Sequence, residues 1–525
     1  MNCSSTSSPL SRVKSRYFTV RFLRFAGRVI WSRGFLWTIV IFVSLVVLFY
    51  QYENWNGATE LKAARSRMLA VAGTDDFMTV LPATVPEEEN FYALPIIKSW
   101  REPAKHAAGG FSIRFPADKL LPKDLIKPEI KDEGGRTSLD LAGWAAAQKI
   151  NAGTAGRDTA IALCKALGDG NGIIPRLVAG LDRSGSQLIP SQRQSLEVAG
   201  GDPAKAEIPA CSGAYQMILN LEIHLRAAAL AGDAAKTRDL SGVMLRLADG
   251  FDHDPGLVPL LVGTATNRIT LKALNEALGC PSLQDTDFRK LHEWLSTSAD
   301  LQRARRTFVH MVLKADAVFS SFHRAEMERT HRKWTRDALR TENGLMNFLT
   351  YFAGYGPSGW IDTNHAFAVE QLALACGDAG EEGWRAAADG AKQMYKAAAT
   401  ASGIKLGSKT FINPRRVLGV LTIPAISMVW EHAVKNVFRR RCAILTCALH
   451  RHRLAHGAFP SSLTELDPSL LSSPLTDPAK EGAPFGYRLT DKGFVLWSVG
   501  EDRNDDGGDD KKDWTWRHEV PALTN

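Results

Sequence analysis

Residues 34–50, GFLWTIVIFVSLVVLFY, run for 17 positions without a charge. A helix of that length spans roughly 25 Å at about 1.5 Å per residue, and Val29-Ile30-Trp31 extend it toward the ~30 Å of a hydrocarbon core. A helix satisfies its own backbone groups in lipid, so the run is suited to cross a bilayer. Trp31, Phe35 and Trp37 at one end, and Phe49, Tyr50, Tyr52 and Trp55 at the other, fit the two interfacial belts. No other stretch limits the possible architectures as strongly.

Arg12, Lys14, Arg16, Arg21, Arg24, Arg28 and Arg33 precede the span, and no acidic residue occurs before Glu53. By the positive-inside rule this flank places the N-terminus in the cytoplasm and residues from about 53 onward outside it. The alternation of Phe18, Phe22, Phe25 and Val29 with Arg21, Arg24 and Arg28 suits an amphipathic helix on the inner leaflet, so lipid contact is expected through residues 17–52. The residues after the span, QYENWNGATE, contain no small-x-small cleavage site, which favours an uncleaved anchor. The chain carries a formal charge of +8, but the flank supplies seven of those charges and leaves +1 for the remainder. Basicity is therefore no argument for nucleic acid as a partner.

About 470 residues beyond the anchor provide ample material for a core. Pro82, Pro86, Pro95, Pro103, Pro116, Pro122 and Pro128 make 53–136 read as a membrane-proximal helix followed by an irregular, linker-like region with one short strand at Phe111–Phe115. From 137 to 424 the apolar spacing is helical. YQMILNLEIHLRAAALA, Gly232-Asp233 and AAKTRDLSGVMLRLADG predict a helix hairpin, and a second pair is expected around 257–279 and 283–297. Pairs in series suggest a stacked helical ectodomain with a surface for an extracytoplasmic protein partner. In 425–525 a long helix precedes HGAFPSSLTEL, read as helical, then the strands GYRLT and GFVLWSVG, an acidic run, and WTWRHEV as one more strand. The expected fold is mainly α, with one membrane helix and a small α+β C-terminal module.

Six of the seven cysteines (Cys164, Cys211, Cys280, Cys376, Cys442 and Cys447) lie beyond the anchor, widely spaced and without C-x-x-C. That pattern signals neither a zinc ribbon nor a thioredoxin-type site, and buried thiols are expected for several of them. Asp502-Arg503-Asn504-Asp505-Asp506-Gly507 matches D-x-N-x-D-G, the opening of a calcium loop. Oxygen ligands at positions 1, 3 and 5 (Asp502, Asn504, Asp506) can converge because Gly507 permits a sharp turn. Gly508, Asp510 and Asp513 fall at positions 7, 9 and 12, although Asp replaces the usual closing Glu and the flanks read as strands. His450, His452 and His456 have only Arg451 and Arg453 beside them and read as ordinary histidines rather than metal ligands. Glu328-x-x-His331 lacks the second copy that a di-iron bundle needs. Gly407-Ser408-Lys409-Thr410 breaks the phosphate-loop spacing, and neither G-x-S-x-G nor H-E-x-x-H occurs. The expected role is structural or protein-binding. The runner-up is an extracytoplasmic enzyme with a site assembled from distant residues of the helical ectodomain.

The last hundred residues resemble the globular part of the major pseudopilin of type II secretion. A long helix ends at His456-Gly457-Ala-Phe459-Pro460. Ser462-Leu463-Thr-Glu465-Leu466, Asp477-Pro478 and Gly482-Ala-Pro484-Phe485-Gly486-Tyr487 follow, and Trp497-Ser498-Val499-Gly500 runs into the acidic glycine loop. In that family the loop binds calcium, which implies the same role for Asp502, Asn504, Asp506 and Asp510. Gly34-Phe35 matches a prepilin processing site, but Ile39 stands where that site has Glu, so processing is not expected and the mature chain should begin near Met1. The whole layout is similar to bacterial membrane-anchored proteins with a pseudopilin-like tail, a resemblance that implies no activity.

Overall fold

In a computed structural model, the described residues are 33–103, 111–133, 136–149, 156–202, 212–253, 255–296, 302–321, 356–376, 383–401, 403–406, 409–413, 415–422, 429–471, 475–480 and 482–520. The flank at 1–32, Cys3, Cys211, the Glu328/His331 pair and Gly407-Ser408 lie outside them. The chain is mainly helical, with one long apolar helix near the N-terminus and a small antiparallel sheet near the C-terminus.

Helix α1, Arg33–Ala72, is continuous for 40 residues and so runs about 60 Å. Its first half is long and apolar enough to cross a membrane, and the apolar window has no buried residue. Its second half buries Glu53, Gly57, Ala64 and Met68, a spacing that puts all four near one face. That face packs along Ser358–Leu374, and the contact is close because both partners lack a Cβ where they cross. A Cβ on Gly57 would stand 2.2 Å from the Gly359 carbonyl oxygen, and one on Gly359 would stand 1.9 Å from that of Glu53.

Polar contacts lock the same crossing. The Ser358 hydroxyl and the Gly359 amide both donate to Asn54 Oδ1 at 2.9 Å. Glu53, only 1% exposed, accepts from Trp360 Nε1 at 3.0 Å and pairs with Arg415. Higher up, Arg65 reaches Asp316 at 2.7 Å and Arg67 reaches Glu370 at 2.7 Å.

The remaining main helices are α2 (Arg157–Leu167), α3 (Ser212–Ala231), α4 (Ala234–His253), α5 (Leu257–Ala277), α6 (Asp285–Ser296), α7 (Gln302–Ser321), α8 (Ser358–Leu374), α9 (Gly383–Ala401) and α10 (Val429–His456). The predicted hairpin is α3–α4. Gly232, at φ +77°, ends α3, and Asp233 caps α4 by accepting from the Lys236 amide at 3.0 Å. The predicted second pair is α5–α6. The pairs do not form an open stack: α3, α4 and α5 pack against one another, and α10, from near the chain end, packs on α5 and α6. Arg440, 2% exposed on α10, holds both oxygens of Asp249 on α4 at 2.8 and 3.2 Å and donates to the Leu295 carbonyl on α6 at 2.7 Å. One hydrophobic core therefore runs from Ala64 to Trp516.

That continuous core corrects the reading of the irregular region, 75–136, as linker-like. Phe77, Leu81, Phe91, Tyr92, Ile97, Phe115 and Leu120 are all buried in it. Tyr92 OH donates to the Leu247 carbonyl at 2.6 Å, and Asn220 Nδ2 donates to that of Ala117 at 2.7 Å, so the segment is strapped across α3 and α4. Prolines removed its helical periodicity without removing its apolar content. The expected strand appears as β2 (Phe111–Ile113), antiparallel to β1 (Arg101–Pro103). Two further hairpins are β3–β4 (Ile130–Glu133, Arg136–Leu139) and β5–β6 (Gly403–Leu406, Lys409–Ile412).

Strands β7 (Gly486–Thr490), β8 (Gly493–Ser498) and β9 (Trp514–Glu519) form an antiparallel sheet with β8 central, as the strand patterns predicted. HGAFPSSLTEL is not an α-helix: after α10 stops at Gly457 (φ +83°), the chain makes 3-10 turns at Leu463–Glu465 and Pro468–Leu470. Cys164, Cys280, Cys376, Cys442 and Cys447 are free thiols, all but Cys164 buried.

Alanine at a helix glycine ordinarily gains up to about 1 kcal/mol in propensity. At Gly57 or Gly359 the sign should reverse, with a loss of roughly 1–3 kcal/mol from overpacking. Thermal melting of the full chain in nanodiscs should show Gly57→Ala and Gly359→Ala lowering Tm, and Gly34→Ala, with open space around it, leaving Tm unchanged.

Candidate functional site

The acidic loop connects the central strand β8 to the edge strand β9 of the C-terminal sheet, leaving β8 at Ser498 and returning at Trp514. Gly507 and Gly508 adopt φ +72° and +79°, the sharp turn expected at that point. The carboxylates do not stand unpaired around a common centre. Asp502 Oδ1 accepts from the Asn504 amide at 3.0 Å, and Asp509 Oδ1 from that of Lys511 at 2.9 Å. Asp506 pairs with Lys512 at 2.8 Å, and Asp510 with Arg517 at 2.8 Å. Among the described residues, no three of His, Cys, Asp and Glu converge as a metal-holding group.

Asp505, a non-ligand position in the loop pattern, is the mechanical anchor. Its Oδ1 accepts from Trp497 Nε1 at 2.8 Å and from the Gly507 amide at 3.0 Å, and the indole hydrogen bond holds its carboxyl below the usual range. Asp513, the closing position, is 4% exposed. Its Oδ2 accepts from the Gly508 amide at 2.8 Å, while its Oδ1 is buried with no hydrogen-bond partner among the described residues. A buried carboxylate oxygen without a donor is costly. Of the six residues expected to bind calcium, Asp513 is the one with a buried side-chain oxygen that has no donor among the described residues.

The loop rests on a joint between sheet and body. Asp477 is buried; its Oδ1 accepts from Ser498 Oγ at 2.6 Å and from the Ala479 amide at 2.8 Å, and its Oδ2 from that of Val499 at 3.1 Å. Burial raises its pKa, and those hydrogen bonds oppose the shift. Arg385 on α9 donates to the Gly500 and Glu501 carbonyls at 2.9 and 2.8 Å. Trp516 Nε1 donates to Thr446 Oγ1 on α10 at 3.0 Å.

His450 does not act with His452 and His456. It faces the body, stacked on Phe288 with ring centroids 4.8 Å apart, and its Nε2 lies 2.7 Å from that of His518. Asn275 decides the proton positions: its Nδ2 donates to the Arg517 carbonyl, so its Oδ1 accepts from His518 Nδ1 at 2.9 Å. His518 Nε2 must then accept, and His450 Nε2–H donates. Both rings are held neutral by burial first: His518 is pulled down to about 3 and His450 well below its ordinary value.

A second site carried no sequence motif. A pocket of about 320 Å³ opens between α7, the start of α5 and Gln192, lined largely by apolar side chains, with His310 and Lys314 one helical turn apart on α7. The visible hint was only a His and a Lys four residues apart, a spacing that puts both on one helix face. No protein-family model, characterised protein or solved structure matches this chain.

The histidine joint has a definite pH sign. Unfolded histidines take up protons below about 6.5 and the folded pair resists, so the joint's contribution is complete above about 6.5. It should fall as pH drops toward about 3, by up to ~1.4 kcal/mol per pH unit for each ring. Melting of the full chain between pH 7.5 and 4.5 should show a steeper fall in Tm for the native chain than for the His450→Leu/His518→Leu double variant. Equal slopes would refute the assignment.

Proposed function

We propose that this chain is a single-pass, membrane-anchored protein with a structural or protein-binding role outside the cytoplasm, at a bacterial inner membrane. The observation that carries the reading is the division of α1. One uninterrupted helix exposes a predominantly apolar surface along one half and enters the body's core along the other. A hinged tether would leave the body free to swing. A continuous helix locked at Glu53, Gly57 and Arg65 instead holds it at one height and orientation, which suits a protein that presents a surface. The seven-charge flank supports a cytoplasmic N-terminus.

We further propose that calcium stabilises the C-terminal module, as the resemblance to the pseudopilin implies. The partnerless oxygen of Asp513 supports this reading. A cation there would need Asp506 and Asp510 to exchange Lys512 and Arg517 for the metal, so binding competes with internal ion pairs. The enzymatic alternative has one supporting observation, the pocket at His310 and Lys314.

Two measurements test the proposal. Protease added outside spheroplasts should digest most of the chain and spare an N-terminal fragment ending near residue 52; protection of the bulk would overturn the orientation. The full chain should melt at a higher temperature in calcium than in chelator, by the equivalent of about 2.7 kcal/mol at 100 times the dissociation constant. Lys512→Met, which releases Asp506, should enlarge that difference, and Asp513→Asn should shrink it. Identical melting with calcium and with chelator would sink the metal reading. The full chain is required because α10 is packed into the body, so the tail is not a separable fragment.

A further inference from the structure

We propose that the pocket between α5 and α7 binds a small carboxylic acid with an apolar body. Leu257, Val258, Pro259, Met311, Ala315, Val318, Phe319 and Leu372 make its walls, and only Gln192, His310 and Lys314 bring polar side chains to it. Its volume of about 320 Å³ falls at the small end of ligand sites. The inference is independent of the anchor and of calcium.

Three polar features in this apolar setting lack partners. His310 is 2% exposed and packed against Phe77, with ring centroids 4.6 Å apart, yet neither ring nitrogen has a hydrogen-bond partner among the described residues. Gln192 Oε1 is buried in the same condition. Lys314 has no carboxylate beside it among the described residues, and burial lowers its pKa. Leaving buried donors and acceptors unpaired is costly, so the arrangement favours an occupant that meets them.

The sign of that occupant's charge follows from two sources of positive potential. Lys314 is one. The other is the start of α5, a 21-residue helix whose N-cap, Gly256, has no side chain to cap it. Pro259 contributes no N–H, so the amides of Leu257 and Val258 are the donors that this end presents at the pocket wall. No acidic residue lines the cavity. Burial pulls His310 down to about 3, so it is neutral and offers one N–H donor and one acceptor nitrogen. A single ammonium balances a single negative charge. A carboxylate is therefore favoured over a phosphate dianion, which would leave an uncompensated charge among apolar walls. The carboxylate fits between Lys314 and the α5 amides, and the apolar body lies along Met311, Val318 and Leu372.

The test is isothermal titration of the full chain in nanodiscs with hexanoate, after subtraction of the signal from empty nanodiscs, with 1-hexanol and hexylamine as matched probes. Hexanoate should bind, and the alcohol and amine should bind at least tenfold more weakly. Lys314→Met should cost at least tenfold in hexanoate affinity, and Lys314→Arg should restore most of it. If Lys314→Met melts below the assay temperature, Val258→Trp serves instead, because it plugs the mouth from an exposed rim position and leaves Lys314 in place. That variant should abolish the heat. Binding of 1-hexanol as tight as that of hexanoate, hexanoate binding unchanged by Lys314→Met or Val258→Trp, or no hexanoate heat at all would overturn the proposal.

Discussion

For two helix backbones to touch, both must lack a Cβ at the same point, and Gly57 and Gly359 meet that condition. With the helices that close, Asn54 can receive both the Ser358 hydroxyl and the Gly359 amide, and Trp360 can reach the buried Glu53 carboxylate. The crossing in turn sets the height of α8, and through Asp316 and Arg65 that of α7. Phe77 and the His310 ring then pack against each other beside the pocket. A larger residue at either glycine would separate the helices and stretch all of these contacts together.

Buried charges are the second organising device. Glu53 with Arg415, Arg440 with Asp249, and Arg226 with Glu222 and Glu276 each join segments far apart in sequence or hold neighbouring helices in register. Such pairs add little net stability, because desolvation offsets most of their attraction. Misalignment, however, would strand a charge in the core, so each pair excludes the helix arrangements in which its partner is absent. The C-terminal sheet is held by neutral hydrogen bonds instead: Trp516 to Thr446 and His518 to His450 tie it to α10, and His518 to Asn275 ties it to α5.

Much of the architecture was legible. The apolar run, the α3–α4 hairpin around Gly232-Asp233 and the three C-terminal strands all follow from local periodicity and turn chemistry, which act within a few residues. Other readings failed for the complementary reason. The proline-rich segment after residue 75 looked loose because prolines erased its periodicity, yet Phe91, Tyr92 and Ile97 are fully buried once α3 and α4 offer them a surface. The acidic loop pattern shows which oxygens can converge on a cation but not that Asp506, Asp510 and Asp505 take Lys512, Arg517 and the Trp497 indole as partners within the same module. Asp505, assigned no role by the loop pattern, holds the turn, because the pattern does not encode where an indole N–H will point.

Sequence alone determined the long apolar helix, the asymmetry of charge around it, the helical middle and the stranded end, because each depends on residues close together in the chain. Tertiary structure decided that the second half of α1 packs along α8, that the tail shares the body's core, and that His450 meets His518 rather than His452. It also decided that Gln192, His310 and Lys314 enclose one cavity with the first turn of α5. These outcomes depend on which surfaces exclude water from one another across tens or hundreds of residues. No local pattern carries that information, because desolvation and hydrogen-bond pairing take their values only when the chain has closed on itself.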